Sequence, residues 1–147
     1  MRRLVLVTLS ALLAAGATGA QAKAMKWMDA SGAGLPAGAK MAVVSGDPSK
    51  TGPFVIRAKF PANYTVPPHH HPGDEAVRVT SAGTLTYGMG DKVNPANSGS
   101  LTKGYHVTMQ AGMNHWVTTT APVDIQVSGN GPFAITYANP ADDPRKK

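Results

Sequence analysis

The chain has 147 residues, no cysteine and a formal net charge of +6 at pH 7. Without cysteine it has no disulfide framework, no thiolate metal site and no cysteine nucleophile, so its stability must come from its core or from a bound metal. The basic residues form no helix or stripe interleaved with aromatic residues. Their densest group, RKK at 145–147, is typical of a solvated tail, and nucleic-acid binding is not expected.

Residues 1–22 have the layout of a secretory signal peptide, because arginines precede an apolar run at 4–15 and small residues follow it. The apolar run is too short to span a bilayer, so cleavage is favoured over a membrane anchor. The triplet AQA at 20–22 makes Lys23 the predicted mature N-terminus, and the triplet at 22–24 is the second choice. The protein is therefore expected to be periplasmic or secreted, with no membrane association after cleavage.

Residues 23–147 are expected to form one domain of short β-strands. No stretch has the periodicity of a long helix, whereas short alternating runs stand between turn signals. The predicted strands lie at 54–60, 76–80, 84–90, 105–110, 115–120, 123–129 and 132–137. A short helix or strand laid over the barrel is expected within 25–36, and a loop-rich insert at 90–103. This spacing predicts an all-β fold, either a sandwich or a small antiparallel barrel.

The segment PPHHHPGDE, residues 67–75, carries the strongest chemical signal. On a strand, residues two apart share a face and lie about 6.6 Å apart, so His69 and His71 point the same way and His70 points away. Glu75, the only glutamate in the chain, follows a predicted turn and opens the next strand. Two imidazoles and a carboxylate that converge in this way outline a site for a divalent metal.

A third imidazole has to come from His106 or His115, the two histidines outside this run. His115 follows the glycine turn QAGMN and starts a predicted strand, which repeats the design of the first segment. His106 lies in the middle of a predicted strand beside polar residues. We therefore expect His115 to complete the site. The donor types suit one divalent transition-metal ion, namely iron, manganese, nickel or zinc.

Both segments resemble the sequence motifs of the cupin superfamily. The pattern His69-x-His71-x3-Glu75 resembles the first motif, and GYHVTMQAGMNH, which ends at His115, resembles the second. The resemblance covers nearly all of residues 23–147. It implies a small exported cupin with a jelly-roll barrel, a metal held by these four side chains, and a homodimer formed through sheet edges. Four positions depart from the motifs, and none of them is an implied ligand: Asn63, Gly83, Gln110 and Thr119.

The resemblance also implies a small metalloenzyme, similar to the mononuclear cupin dioxygenases, that acts on a small oxygenated or aromatic molecule. The sequence offers no dependable catalytic acid or base. A non-catalytic module that binds a ligand or a metal is therefore an alternative, and a structural β-domain is a third. A single ligand carboxylate leaves a divalent site with net positive charge, which favours anionic substrates. Tyr87 and Tyr137 are candidates for the substrate pocket, although core packing is the default for both.

Overall fold

A computed structural model describes residues 24–147, so the predicted signal peptide at 1–22 lies outside the described residues. The described part is all-β, as predicted, with short 3-10 helices in its connections. The strands are β1 (Met28–Asp29), β2 (Lys40–Ser45), β3 (Gly52–Phe60), β4 (Thr65–His70), β5 (Glu75–Val79), β6 (Leu85–Met89), β7 (Ser98–Leu101), β8 (His106–Met109), β9 (His115–Thr118), β10 (Val123–Gly131) and β11 (Thr136–Tyr137). The 3-10 helices are Ser31–Ala33, Pro95–Asn97, Pro140–Asp142 and Pro144–Lys146. Across residues 24–147, no helix has the length and apolar character needed to cross a membrane.

The strands form two antiparallel sheets. One sheet has the order β1-β2-β3-β10-β5-β8, and the other has the order β11-β4-β9-β6-β7. The longest strands, β3 and β10, pair in unbroken register from Phe60 with Val123 to Gly52 with Gly131. Two sheets that enclose one core are the arrangement expected of a jelly-roll.

The core lies between the sheets and follows the alternation visible in the sequence. Buried side chains alternate with partly or fully exposed ones along β3 and β10. Their core members are Phe54, Ile56, Ala58, Phe60, Val123, Ile125 and Val127. A one-residue slip would turn this apolar set to solvent, so the pattern fixes the register. Each large side chain buried here stabilises the fold by about 1.5–3 kcal/mol.

Two segments form strands that the sequence did not predict. The insert at 90–103 contains β7, which pairs with β6, so the prediction of a loop-rich insert was wrong over Ser98–Leu101. The residues SGSL have low β propensity, and the neighbouring strand supplies the structure instead. β2 was missed because its apolar residues do not alternate and only two of its six residues are buried.

β4 continues through two prolines, a residue type that rarely lies inside a central strand. Pro67 and Pro68 lie where the register with β9 shifts, between the pair Val66–Val117 and the pair His69–His115. Proline has no N–H to give to a ladder and is tolerated in a sheet at such irregularities. The shift leaves His69 directly opposite His115 across the two strands.

Trp116 is fully buried, and alternation along β9 places it on the face opposite to His115. Its indole lies against Gly88 of β6, where an added Cβ would come within 2.3 Å of the ring. Glycine is therefore required at position 88 because a larger side chain would collide with the Trp116 indole, and not because of its backbone conformation.

We expect Gly88→Ala to lower the free energy of unfolding by about 1–3 kcal/mol, because the methyl group overpacks the site beside the indole. The matched control is Gly32→Ala, whose new Cβ would have nothing within 4 Å. It should change stability by no more than about 0.5 kcal/mol. Urea unfolding followed by tryptophan fluorescence measures both variants, and equal effects would contradict the packing argument.

Candidate metal centre

Three elements bring the predicted ligands together. β4 carries His69, and His71 follows one residue beyond its end. Glu75 opens β5 and His115 opens β9, as the sequence predicted. All four side chains are buried, with between 2% and 7% of each residue exposed. Residues that are 46 positions apart in the chain therefore meet inside the two sheets.

The three imidazoles form one compact group that could hold a metal ion. One ring nitrogen from each of His69, His71 and His115 lies within 4.8 Å of the others. The Glu75 carboxylate joins the group, because its Oε2 lies 3.1 Å from Nε2 of His71 and 3.5 Å from Nε2 of His115. The exposed His106, on β8, lies outside this group.

Hydrogen bonds to the backbone set the direction of each imidazole. Nδ1 of His69 lies 2.7 Å from the carbonyl of Pro67, Nδ1 of His71 lies 2.8 Å from that of Ala134, and Nδ1 of His115 lies 3.1 Å from that of Met113. A carbonyl only accepts, so in each neutral ring the proton sits on Nδ1 and Nε2 keeps its lone pair. This is the usual outer support of metal-binding histidines.

One of these inward nitrogens has no hydrogen-bond partner. Nε2 of His71 is buried and makes no hydrogen bond within residues 24–147. It lies close to Glu75 Oε2 but without hydrogen-bond geometry. Leaving a buried polar atom unpaired costs about 1–3 kcal/mol. A cation between the imidazole nitrogens and the carboxylate would satisfy this atom.

Burial and mutual contact hold His69 and Glu75 in the charge states that metal ligands need. Burial, helped by the neighbouring His115 and His71, lowers the pKa of His69 to about 3. Burial alone would raise the pKa of Glu75, but contacts with His115 and His71 outweigh it and lower that pKa. Burial pushes the pKa of His71 down, and the Glu75 carboxylate more than reverses this effect. His69 is therefore neutral and Glu75 is ionised at neutral pH.

The two turns that carry the ligands are tied to each other. The amide of Gly112 donates to the carbonyl of His71 at 2.9 Å, and the amide of Ala111 donates to the Asp74 carboxylate at 2.8 Å. On the outer side, Nδ1 of His70 lies 2.8 Å from the side-chain oxygen of Asn114. The sequence patterns indicated neither the role of Asn114 nor that of Asp74. Their positions directly before His115 and Glu75 were the available signal.

The site is the polar end of an otherwise apolar cavity of about 40 Å³. The walls include Ala33, Leu35, Val77, Phe133 and Ile135, together with the three imidazoles and Glu75. A cavity of this volume holds roughly a few water molecules. The room beside the site is therefore matched to a small ligand.

The two tyrosines named as pocket candidates are not among the residues that line this cavity. The ring of Tyr137 lies 5.8 Å from that of His69, but its hydroxyl donates to the carbonyl of Gly34 at 2.7 Å. Tyr87 is partly buried and packs against the core beside Gly99. Both therefore take the packing role that was their default.

By structure, the chain is similar to solved proteins with a cupin fold. The DMSP lyase DddQ from Ruegeria pomeroyi DSS-3 aligns with a TM-score of 0.61 and 18% identity over 77% of this chain and 60% of the lyase. The polyketide cyclase RemF from Streptomyces resistomycificus aligns with a TM-score of 0.59 and 14% identity, over 74% of this chain and 76% of the cyclase. A cupin superfamily protein from Desulfitobacterium hafniense DCB-2 aligns with a TM-score of 0.52 and 10% identity, over 63% of this chain and 76% of that protein.

The chain spans 60% of the length of the lyase and 46% of the length of an oxalate oxidase that it also matches. By sequence, no family profile matches the chain, and no curated protein is significantly similar to it. The structural likenesses show that this chain has the cupin fold, which confirms the resemblance seen in the two histidine segments.

We expect the metal-free protein to lose stability as the pH falls below about 6.5, the ordinary pKa of histidine. His69 stays neutral in the folded state down to about pH 3 but takes up a proton when unfolded, so the free energy of unfolding falls by about 1.4 kcal/mol per pH unit. His71, whose pKa the Glu75 carboxylate raises, contributes stability that is present below the ordinary histidine pKa, so it adds no loss in this range. Glu75, with a lowered pKa, adds a further loss below about pH 4.5.

Urea unfolding at several pH values between about 6.5 and 4.5 measures this slope. The variant His69→Gln keeps a polar side chain of similar size. It should reduce the dependence of the unfolding free energy on pH by about 1.4 kcal/mol per pH unit. A wild-type protein whose stability stays flat across this range would contradict the burial of a neutral His69.

Proposed function

We propose that this cupin binds one divalent transition-metal ion through His69, His71, His115 and Glu75, and that it is a small metalloenzyme acting on a small oxygenated molecule. The observation that carries the proposal is the convergence of the imidazole Nε2 atoms and one carboxylate at the only polar end of an apolar cavity, among the residues described. Their Nδ1 atoms already face carbonyl groups, so the inward nitrogens are free to bind a cation.

The donor set fits iron, manganese, nickel or zinc, and donor type does not rank them. When bound, the ion supplies Lewis acidity and open positions for substrate oxygens and, where it is redox-active, for dioxygen. Glu75 supplies the only carboxylate, so a divalent site has net charge +1. This charge favours an anionic substrate over a cationic one.

The chain's own residues restrict what can reach the ion. The apolar wall includes Leu35, Phe133 and Ile135. It limits the water around the reacting groups to a few molecules, which strengthens electrostatic contacts there. The volume of about 40 Å³ favours a short oxygenated acid or diketone over an aromatic molecule. A dioxygenase-like reaction stays our proposal for the chemistry, and the fold alone does not select it, since a lyase and a cyclase share this fold.

Export is also a proposal, supported by the pattern of residues 1–22. In that compartment the protein would take its metal from the surroundings rather than from a cytosolic supply. A homodimer stays a prediction from the resemblance.

A non-catalytic binding module is the second candidate. Apart from the four proposed ligands, the described residues that line the cavity include no group able to act as a general acid or base. Chemistry in this cavity would therefore depend on the ion and the substrate alone. A protein that only captures a ligand or a metal needs no such group.

We expect one divalent ion per chain after loading with zinc, with loss of binding in His115→Ala and Glu75→Gln. Removing a ligand should weaken zinc binding by more than tenfold, since even outer partners of ligands account for about 10–100-fold. The control is His106→Gln, on the exposed side of β8. Competition with a coloured chelator gives the affinity, and zinc at 100 times the dissociation constant should stabilise the fold by about 2.7 kcal/mol. Full zinc affinity in His115→Ala would refute the site.

Oxygen uptake by the iron-loaded protein separates enzyme from module. Tested against short diketones, small oxygenated acids, catechols and flavonols, an enzyme of this kind should consume oxygen with a compound from the first two groups. Glu75→Gln supplies the control without a complete site. A compound that raises the melting temperature but is recovered unchanged, with no oxygen uptake, would favour the binding module.

A further inference from the structure

The carbonyl that orients His71 belongs to a segment outside the strand ladders. Residues 132–135 connect β10 to β11. The carbonyl of Ala134 faces Nδ1 of His71, and the ring of Phe133 stacks on the His71 ring at 4.8 Å between centroids. Phe133 and Ile135 also line the cavity. The position of this segment therefore affects both a proposed ligand and the space beside it.

Two contacts hold this segment in place. At one end, the amide of Phe133 donates to the carbonyl of Pro48 at 2.7 Å. At the other end, Nη2 of Arg145 donates to the carbonyl of Ile135 at 2.8 Å. Because Ile135 follows Ala134, the Arg145 contact fixes the peptide next to the one that supports His71.

Arg145 is itself held by a paired carboxylate. Its Nε lies 2.8 Å from Oδ1 of Asp143, and its Nη2 lies 3.0 Å from Oδ2. Such a two-point pair fixes the plane of the guanidinium group. Asp143 is only 8% exposed, and its Oδ1 also accepts the amide of Arg145, so the C-terminal turn is rigid at this point.

The other face of the guanidinium lies against the loop at 30–35. A Cβ on Gly34 would stand 3.1 Å from Cζ of Arg145, and Gly34 has a φ of +94° that also favours glycine. The hydroxyl of Tyr137 holds the carbonyl of the same glycine. This loop supplies Ala33 and Leu35 to the cavity wall.

We infer that Arg145 is a positioning residue for the metal centre: it fixes segment 132–135, and through the Ala134 carbonyl it keeps His71 turned with Nε2 inward. The same guanidinium packs the loop at 30–35 against the cavity, so the C-terminal turn sets both ligand orientation and cavity shape. The role in metal binding rests on the function proposed above, whereas the orientation of the His71 ring does not.

The test follows the Nδ1 proton of each buried histidine by NMR in metal-free and zinc-loaded protein. In Arg145→Ala, the Nδ1 proton of His71 should exchange with solvent at least ten times faster. Those of His69 and His115, which face Pro67 and Met113, should stay within a factor of two and serve as internal controls. Zinc affinity should fall by roughly tenfold, as for other outer partners of metal ligands.

Three further variants sharpen the result. Arg145→Lys keeps the charge but cannot bind the Asp143 carboxylate and the Ile135 carbonyl at the same time. It should therefore show the same selective effect at His71, but smaller. If Arg145→Ala does not fold, Arg145→Lys provides the test. Tyr137→Phe loosens only the Gly34 carbonyl and should leave the His71 proton unchanged. Arg78→Ala, which removes a guanidinium bound to the carbonyl of Gly104, should also change nothing at His71.

Unchanged exchange at His71, or equal acceleration at all three histidines, would overturn the inference, because the first shows no positioning and the second only general loosening. Selective acceleration in metal-free protein with no zinc binding in the wild type would uphold the positioning and refute the proposed metal site. The two ideas can therefore fail separately.

Discussion

The structure depends on one electrostatic constraint: three imidazoles and a carboxylate are buried together at the end of an apolar cavity. Burying polar groups destabilises a fold unless each finds a partner. On their outer sides the imidazoles do find partners, in three backbone carbonyls. On their inner sides they have mainly Glu75, which contacts two of them and reaches both through one oxygen. The outer nitrogens of the cluster therefore have hydrogen-bond partners in the protein, whereas its centre is only partly satisfied, and this arrangement could hold a cation.

The backbone around the cluster has the rigidity that such a site requires. Prolines at the irregularity of β4 set His69 opposite His115, and the amides of Gly112 and Ala111 tie the two ligand turns together. His69 lies near the end of β4, His71 follows that strand directly, and Glu75 and His115 each open a strand. The register of such strands is fixed where one face is buried. Packing and hydrogen bonds around the four side chains therefore hold them in place before any ligand binds, which is the preorganisation that a binding site needs.

The sequence was sufficient where the fold and the placement of the candidate site residues follow local rules. Alternation predicted β3 and β10, and the spacing of His69, His71 and Glu75 predicted which side chains share a face. It was insufficient where structure comes from distant parts of the chain. β7 is made of residues with low β propensity, and it forms because β6 offers a partner. The supporting role of Asn114 depends on His70, 44 residues away, and no local pattern encodes that pairing.

The cavity and the ligand cluster share one wall, and this limits how the site can change. Phe133 contacts His71 and also lines the cavity, so a substitution that enlarges the cavity there also removes the ring that stacks on the His71 imidazole. Leu35 is different, because it also lines the cavity but belongs to a loop whose Gly34 lies against Tyr137 and Arg145 rather than against a proposed metal ligand. A bound small molecule of a different size is therefore easier to accommodate through changes in the loop at 30–35 than through changes in segment 132–135. One fold can host many reactions. Because segment 132–135 supports a proposed metal ligand and the loop at 30–35 does not, substitutions in the loop could change the size of the cavity without disturbing the ligand.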